Sequence, residues 1–293
     1  MESIFKGLYT ALITPFSKNG EIDYSALYKL IDQQLSAKID GIVILGTTGE
    51  SPTISGDEKK DLIQKSIAYI DGRSQVVIGT GTNCTKTTIE NSIFAEKSGA
   101  DGLLVVNPYY NKPTQKGLYE HFKAVAESVN IPVILYNIKG RTGVNIETPT
   151  LLKLAEINNI VSVKEASGDM EQIKTVIKSV PKHFTVLSGD DDITMELIRS
   201  GGHGVVSVTS NIVPCEMKDF VQNCIDANFE SAITMYNKLS PLFSAAFIET
   251  NPQPIKTLLA YKGLCEEIFR LPLTTMEPGN KERLLSVWNE YLS

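Results

Sequence analysis

The feature that most limits how this sequence can fold is a repeated alternation of short apolar runs with amphipathic segments. Eight runs rich in Val, Ile and Leu occur, and most are followed by a segment with helical periodicity. Because apolar strands separated by helices are typical of parallel sheets, and eight such units close a ring, the pattern predicts an α/β fold of the (β/α)8 TIM barrel type. The predicted strands cover residues 8–13, 41–45, 75–79, 102–106, 132–136, 160–164, 184–187 and 204–208.

An open, doubly wound sheet is the alternative fold. No G-x-G-x-x-G motif follows the first strand, and glycine-rich turns follow several strands instead of marking one switch point. These features favour the closed barrel.

Local capping signals support the helices between the strands. Asp23 is a candidate N-cap, Ser55 and Glu58 have the spacing of a capping box, and Thr148 precedes Pro149 at a predicted helix start. After about Pro214 the strand pattern stops, and residues 229–239, 254–262 and 281–291 have helical periodicity. We therefore predict a barrel over residues 1–225 and a C-terminal helical appendage over 226–293, a candidate oligomer contact.

Composition and charge argue against a nucleic-acid-binding function. The chain has 293 residues, 42% of them hydrophobic, and a net charge of −6 with both signs mixed along it. This balance argues against a nucleic-acid-binding surface, so the ligand is expected to be a small molecule in a pocket.

The cysteines, the histidines and the amino-terminal segment predict a cytoplasmic protein without a metal. Its 4 cysteines form no C-x-x-C pair, and its 3 histidines form no H-x-x-H motif. We expect reduced, mostly buried thiols. The sequence shows neither a signal-peptide pattern nor an apolar stretch of membrane-spanning length, so no membrane partner is expected.

Lys164 stands out because it lies near the end of the apolar run 160–164. Strand alternation predicts that it shares a face with Ile160 and Ser162, whereas Val161 and Val163 point the other way. Burial penalises a charged amine, and a free amine can form a Schiff base with a carbonyl substrate. The alternative is a lysine that reaches solvent or pairs with a carboxylate.

Other chemically capable residues follow neighbouring strands, at the end of the barrel where active sites form. The turn Gly46-Thr47-Thr48-Gly49-Glu50 offers hydroxyl and backbone N–H groups for an anion, Tyr136 offers a phenol, and Arg141 offers a guanidinium. Alone, these could be an ordinary turn, a core aromatic residue and a solvated arginine. Together they indicate carbonyl chemistry on a small anionic substrate.

Five motifs follow one another along the chain. They are Gly46-Thr47-Thr48-Gly49-Glu50-Ser51, Asn107-Pro108-Tyr109-Tyr110-Asn111-Lys112-Pro113, Tyr136-Asn137 with Arg141-Thr142-Gly143, Val163-Lys164-Glu165-Ala166-Ser167 and Ser188-Gly189-Asp190-Asp191. In this order the motifs resemble those of the dihydrodipicolinate synthase family, within the wider superfamily of pyruvate-dependent aldolases and lyases. The resemblance covers essentially the whole chain.

The resemblance implies roles for four catalytic residues. Lys164 matches the lysine that forms an imine with pyruvate, and Tyr136 matches the tyrosine that shuttles protons. Thr47 and Tyr110 match the relay partners of that tyrosine. In the family the second tyrosine comes from a neighbouring subunit, so the resemblance implies a homo-oligomer, at least a dimer and commonly a dimer of dimers.

The resemblance also implies the substrates and the residues that bind them. Thr48 matches the group that holds the pyruvate carboxylate, Arg141 the group that binds L-aspartate 4-semialdehyde, and Gly189 and Val206 line the pocket. The product would be 4-hydroxy-tetrahydrodipicolinate, in lysine and diaminopimelate biosynthesis. Because the imine itself accepts electrons, no cofactor or metal is implied.

Two departures from the family pattern concern regulation and the Arg141 loop. Lys139 replaces the usual proline, which predicts a less rigid loop. Positions that match the family's inhibitory L-lysine pocket carry Gly56, Lys59 and Thr87, although Ser51, Asn83 and Tyr109 remain. In the family members that lysine inhibits, this dimer-interface pocket uses histidines and a glutamate. Losing that carboxylate and gaining a cation opposes the binding of a cationic amino acid, so we expect weak or absent inhibition by lysine.

Three alternatives to this function remain open from the sequence. N-acetylneuraminate lyase and 2-keto-3-deoxy sugar acid aldolases need the same pyruvate imine, so the lysine and tyrosine do not separate them. Arg141 and the paired threonines favour the semialdehyde. A non-catalytic barrel that binds a keto acid is the alternative of another class.

Overall fold

Eight parallel strands form a closed barrel in which each strand pairs with the next and β8 pairs with β1. A computed structural model describes residues 5–293. The closed barrel confirms the predicted fold and excludes the open sheet. The strands are β1 (Gly7–Ala11), β2 (Gly41–Ile44), β3 (Gln75–Gly79), β4 (Gly102–Val106), β5 (Val133–Asn137), β6 (Ile160–Glu165), β7 (Thr185–Ser188) and β8 (Gly204–Ser207).

At least one helix follows each strand. Asp23 accepts a hydrogen bond from the Ala26 N–H, and Ser55 and Glu58 form the reciprocal capping box, as predicted. Thr148 was wrongly predicted to be an N-cap. It is the first residue of its helix and Glu147 is the cap, because Pro149 is tolerated anywhere in the first turn. The barrel helices are α1 (Tyr24–Ser36), α2 (Gly56–Ile70), α3 (Thr85–Lys97), α4 (Gln115–Glu127), α5 (Lys139–Thr142), α6 (Thr148–Leu154), α7 (Met170–Ser179), α8 (Thr194–Arg199) and α9 (Pro214–Ile225), with short 3-10 turns at Ser51–Thr53 and Thr209–Asn211.

Apolar side chains on the two faces of the strands form two separate cores. The larger one fills the space between the strands and the surrounding helices, and it contains residues such as Ile42, Leu135 and Val163. The smaller one fills the barrel interior and includes Tyr136 and Val206. Strand side chains are therefore buried on both faces, as the continuous apolar runs predicted.

A local irregularity in β6 corrects the predicted alternation around Lys164. The pairing of β5 with β6 shifts by one residue between Val133 and Ile134, so that Ile134 lies opposite Ser162. As a result Ile160 packs in the outer core and Val161 in the inner one, opposite to the prediction. A bulge inserts one residue and reverses the alternation on one side of it. Lys164 lies beyond the shift.

Three helices follow the barrel, as predicted. They are α10 (Phe229–Ala245), α11 (Gln253–Tyr261) and α12 (Pro278–Leu292). The predicted division at residue 225 coincides with the end of α9, although side chains from the C-terminal region enter the barrel end described below. The division into two domains stays a prediction.

The four cysteines are unpaired, but the expectation that most are buried was wrong. Cys84 and Cys215 are exposed, Cys265 is half-buried, and Cys224 is buried. Between residues 5 and 293, no helix is both long and apolar enough to cross a bilayer.

Candidate active site

Lys164 and Tyr136 lie side by side at the carboxyl end of the barrel. Their strands pair in register at these two residues, and the Lys164 Nζ lies 4.2 Å from the centre of the Tyr136 ring. Only 5% of Lys164 and 6% of Tyr136 is exposed. The amine is therefore withdrawn from bulk water and faces the end of the barrel where substrates enter such folds.

Gly189, which follows β7, forms the wall against the Lys164 side chain. A Cβ added at Gly189 would lie 3.1 Å from the Lys164 Cε and 2.7 Å from the Ala166 Cβ. Gly189 is fixed in place because its N–H donates to the Glu165 carbonyl at 2.7 Å. A side chain at this position would compete with the lysine for space.

Asp190 places a carboxyl group in the same cavity as the lysine. Burial raises the pKa of Asp190 to about 6, and the nearby positive charges of Lys164 and Arg141 oppose part of that rise. Asp190 can therefore exchange a proton near neutral pH.

The turn Gly46–Glu50 connects β2 to the next helix and carries the two threonines. Glu50 has a left-handed backbone conformation with φ of 54°, and its N–H donates to the Thr47 carbonyl at 3.0 Å. The Thr14 hydroxyl, after β1, donates to the Gly49 carbonyl at 2.7 Å. The Thr48 side chain is buried, whereas Thr47 is half-buried at the cavity.

Asn251, which precedes α11, contacts both predicted carboxylate-binding residues. Its side-chain amide donates to the Thr48 Oγ1 at 3.0 Å, and its backbone carbonyl accepts from an Arg141 Nη at 3.1 Å. Lys139 begins the one-turn helix α5 that carries Arg141. The direction of the arginine thus depends on Asn251 as well as on its own loop.

Behind the lysine, a buried polar network joins the ends of three strands. Asn107 donates to Asn137 at 3.1 Å, and Asn137 donates to Glu165 at 2.9 Å. The Ser167 hydroxyl donates to the second Glu165 oxygen at 2.7 Å. Burial raises the pKa of Glu165, while these hydrogen bonds oppose the rise. The network fixes β6 next to Lys164.

Six of the eight predicted site residues line one cavity of about 30 Å³. Val206 lies lower, in the inner core of the barrel, and Val208 lines the cavity in its place. Tyr110 is 89% exposed and does not line this cavity. The six residues are Thr47, Thr48, Tyr136, Arg141, Lys164 and Gly189.

A second cavity of about 270 Å³ shares walls with the first. Thr47, Tyr136 and Arg141 line both cavities, whereas Ser51, Lys59 and Tyr109 line only the larger one. Lys59 is half-buried, and burial lowers the pKa of its amine. The Lys59 amine, which was predicted to oppose the binding of L-lysine, therefore lines this cavity and would contact a ligand bound there.

Sequence reasoning included Asp190 in a family motif without giving it a role, and it missed Asn251 and the buried ion pair between Glu50 and Lys256. Both side chains of the pair are 0% exposed. One signal was available: Lys256 lies within the apolar sequence Pro254-Ile255-Lys256-Thr257-Leu258-Leu259, as Lys164 lies within its strand. Its partner could not be identified from the local sequence.

Comparison with known proteins gives full-length matches. The model of the dihydrodipicolinate synthetase family matches residues 4–290. A 4-hydroxy-tetrahydrodipicolinate synthase from Protochlamydia amoebophila is 46% identical over 288 residues, which is 97% of this chain and 96% of that protein.

Solved structures show the same similarity. The crystal structure of dihydrodipicolinate synthase from Aquifex aeolicus has a TM-score of 0.97 and 45% identity, and the match covers 98% of each chain. A structure described as the first monomeric dihydrodipicolinate synthase variant has a TM-score of 0.96 and 41% identity, covering 98% of this chain and 97% of that one.

Proposed function

Because this chain belongs to the dihydrodipicolinate synthetase family, we propose that it is a 4-hydroxy-tetrahydrodipicolinate synthase, which condenses pyruvate with L-aspartate 4-semialdehyde. The observation that carries this function is the buried amine of Lys164 beside Tyr136, in a cavity that also contains Thr48 and Arg141. The enzyme is a lyase of the class I aldolase type.

The reaction begins when the Lys164 amine attacks the keto carbon of pyruvate. Loss of water from the carbinolamine gives an imine, and loss of a methyl proton gives the enamine. The enamine carbon then attacks the aldehyde of the semialdehyde. Finally the amino group of that substrate displaces the lysine, which regenerates the free amine and closes a six-membered ring. Electrons and protons balance without an external oxidant or reductant.

The side chains around Lys164 supply binding and proton transfer. Tyr136, with Thr47 in the same cavity, relays protons to and from the carbinolamine oxygen. The Thr48 hydroxyl and the backbone N–H groups of its turn hold the pyruvate carboxylate, as polar groups at a tight turn hold anions. Arg141 binds the semialdehyde carboxylate through its two-pronged guanidinium.

The most direct test is trapping of the imine. The protein is incubated with pyruvate and borohydride, and the adduct is located by peptide mass spectrometry. We expect one reduced pyruvyl group on Lys164, lost in Lys164→Ala and retained in the exposed control Lys178→Ala. A barrel that only binds the keto acid would give no adduct.

Acceptor specificity separates the proposed function from its relatives. Assays with L-aspartate 4-semialdehyde, N-acetylmannosamine and sugar aldehydes, each with pyruvate, should show turnover of the semialdehyde. Arg141→Ala should raise KM for this acceptor more than KM for pyruvate. Turnover of a sugar acceptor without turnover of the semialdehyde would favour the other pyruvate lyases.

The proposal includes a homo-oligomer, at least a dimer and further a dimer of dimers, in which a neighbouring subunit supplies Tyr110. Support comes from the exposed phenol, whose backbone is held at φ of 73°, and from the open cavity between Thr47 and Tyr136. A non-glycine residue in that conformation costs free energy, which a partner contact can repay. The four free cysteines also suit the cytoplasmic location that we propose.

Co-expression of two inactive variants tests the shared site. Tyr110→Phe and Lys164→Ala subunits should each have little activity alone, whereas the co-expressed population should regain about a quarter of wild-type activity, because random pairing makes about half of the dimers mixed and one of the two sites in each mixed dimer is intact. No recovery in oligomers shown to be mixed would mean that each subunit uses its own Tyr110.

A further inference from the structure

We propose that Glu50 and Lys256 form a positioning pair, through which the C-terminal helix α11 sets the conformation of the threonine turn Gly46–Glu50. The pair would control pyruvate binding without contacting pyruvate. This inference rests on the proposed function for its substrate, and on the contacts below for its geometry.

Lys256 is buried, and its amine contacts polar and aromatic groups inside the protein. Its side chain is 0% exposed, and its Nζ bonds to a Glu50 carboxylate oxygen and donates to the Ile268 carbonyl at 3.0 Å. The same Nζ lies 4.3 Å from the Phe16 ring centre and 5.0 Å from that of Phe269. Isolated charges are not buried in this way, because desolvation is costly unless partners surround the ion.

Glu50 connects this charge to the backbone of the turn. Its carboxylate also accepts the Arg270 N–H at 3.3 Å, so both oxygens are fixed by the C-terminal region. Its own backbone is left-handed, which an L-residue with a side chain adopts at a cost. Because the Glu50 N–H donates to the Thr47 carbonyl, any relaxation at Glu50 would rotate the peptide groups of the threonines.

The other anchors of the turn are neutral. The side chains of Thr14, Asn251 and Thr53 each make one hydrogen bond to it, at 2.7, 3.0 and 3.1 Å. Hydrogen bonds that involve a charged group are stronger than neutral ones, and within residues 5–293 the Glu50 carboxylate provides the only ion pair formed by this turn. The pair is therefore the contact whose removal should loosen the turn most.

The central test replaces both charges with apolar side chains of similar volume, in Glu50→Leu with Lys256→Met. Such replacements of buried ion pairs often preserve stability, so the turn can be weakened without unfolding the protein. We expect KM for pyruvate to rise about tenfold and the rate of borohydride trapping at low pyruvate to fall equally, whereas KM for the semialdehyde stays within about twofold. Lys256→Arg, which keeps the cation, should lie closer to wild type.

A matched control is the ion pair of Lys281 with Glu267, whose Nζ and Oε2 lie 2.6 Å apart in the same C-terminal region but do not contact the turn. Lys281→Met should lower the melting temperature slightly and leave both KM values unchanged. A folded Glu50→Leu, Lys256→Met variant with wild-type KM and trapping rate would overturn the proposal and leave the pair a purely structural one. If that variant does not fold, the isosteric Glu50→Gln decides, and an unchanged KM for pyruvate overturns the proposal equally.

Hydrogen exchange separates this inference from the proposed function. Exchange of the backbone amides at positions 49 and 50, which donate to the Gly46 and Thr47 carbonyls, should accelerate at least about tenfold in the double variant without any substrate. Unchanged exchange would contradict the positioning role whatever the reaction. A wild-type protein that forms no pyruvate adduct would instead contradict the proposed function, and the exchange result would still decide the role of the pair.

Discussion

Gly189→Ala should impair imine formation while leaving every chemically reactive side chain in place. The added Cβ would lie 2.7 Å from the Ala166 Cβ, 3.0 Å from the Glu165 carbonyl oxygen and 3.1 Å from the Lys164 Cε. The backbone at position 189 is held against moving away from these atoms, because the Gly189 N–H donates to that same carbonyl at 2.7 Å. Of the three neighbours only the lysine side chain is flexible, and the closer Ala166 contact requires the backbone after β6 to shift as well.

The size of the effect follows from the cost of overpacking. Inserting a methyl group into a packed site costs about 1–3 kcal/mol. If the strain falls on the reactive position of Lys164, it converts to a loss of about 5- to 150-fold in kcat/KM for pyruvate.

Single-turnover trapping with pyruvate and borohydride measures this step directly. The control is Gly279→Ala, where an added Cβ meets no atom within 4 Å. A Gly279→Ala protein should trap pyruvate at the wild-type rate. The reasoning is refuted if Gly189→Ala, folded as judged by its melting temperature, also traps at that rate.

Three further predictions concern pH, the arginine loop and regulation. Burial raises the pKa of Asp190 from 3.8 to about 6, so the folded state keeps the proton to higher pH than the unfolded state does. This carboxyl therefore lowers the free energy of unfolding by up to about 3 kcal/mol above pH 6 and has no such effect below about pH 4. Asp190→Asn should therefore raise the free energy of unfolding at pH 8 but not at pH 4, and denaturant titrations with the same gain at both values would contradict this. Lys139→Pro should change KM for the semialdehyde by less than about twofold, since proline is tolerated at a first helical position and Asn251 holds Arg141. A larger change in steady-state assays would show that the loop alone sets the direction of the Arg141 side chain. L-lysine should inhibit weakly or not at all, because Lys59 places a cation at the adjoining cavity, and a micromolar inhibition constant would disprove this.

Features encoded by local periodicity could be predicted from the sequence. The eight strands were found because each is apolar on both faces, and Lys164 was found because a lone amine interrupts such a run. Six of the eight strands differed from the prediction by one or two residues at an end, since a strand ends where its hydrogen bonds to neighbours end, and that depends on the register of other strands. The bulge in β6 was missed because Val161 is apolar and suits either face of the strand.

Contacts between distant parts of the chain could not be predicted. Asn251 and Thr48 are 203 positions apart, and the Lys256–Glu50 pair spans 206. Nothing near a buried lysine in the sequence identifies the carboxylate that neutralises it, so reasoning from local patterns placed these helices outside the site. Tyr110 is a different case, because its predicted partner lies on another subunit.

The position of the Glu50 partners along the chain has a consequence for synthesis. All eight strands have been translated by Ser207, whereas Lys256 and Arg270 leave the ribosome later. Domains fold as their segments emerge, so a nascent chain can close its sheet while the Glu50 carboxylate still faces water. We expect the ability to capture a keto acid to arise last, when Arg270 has left the ribosome.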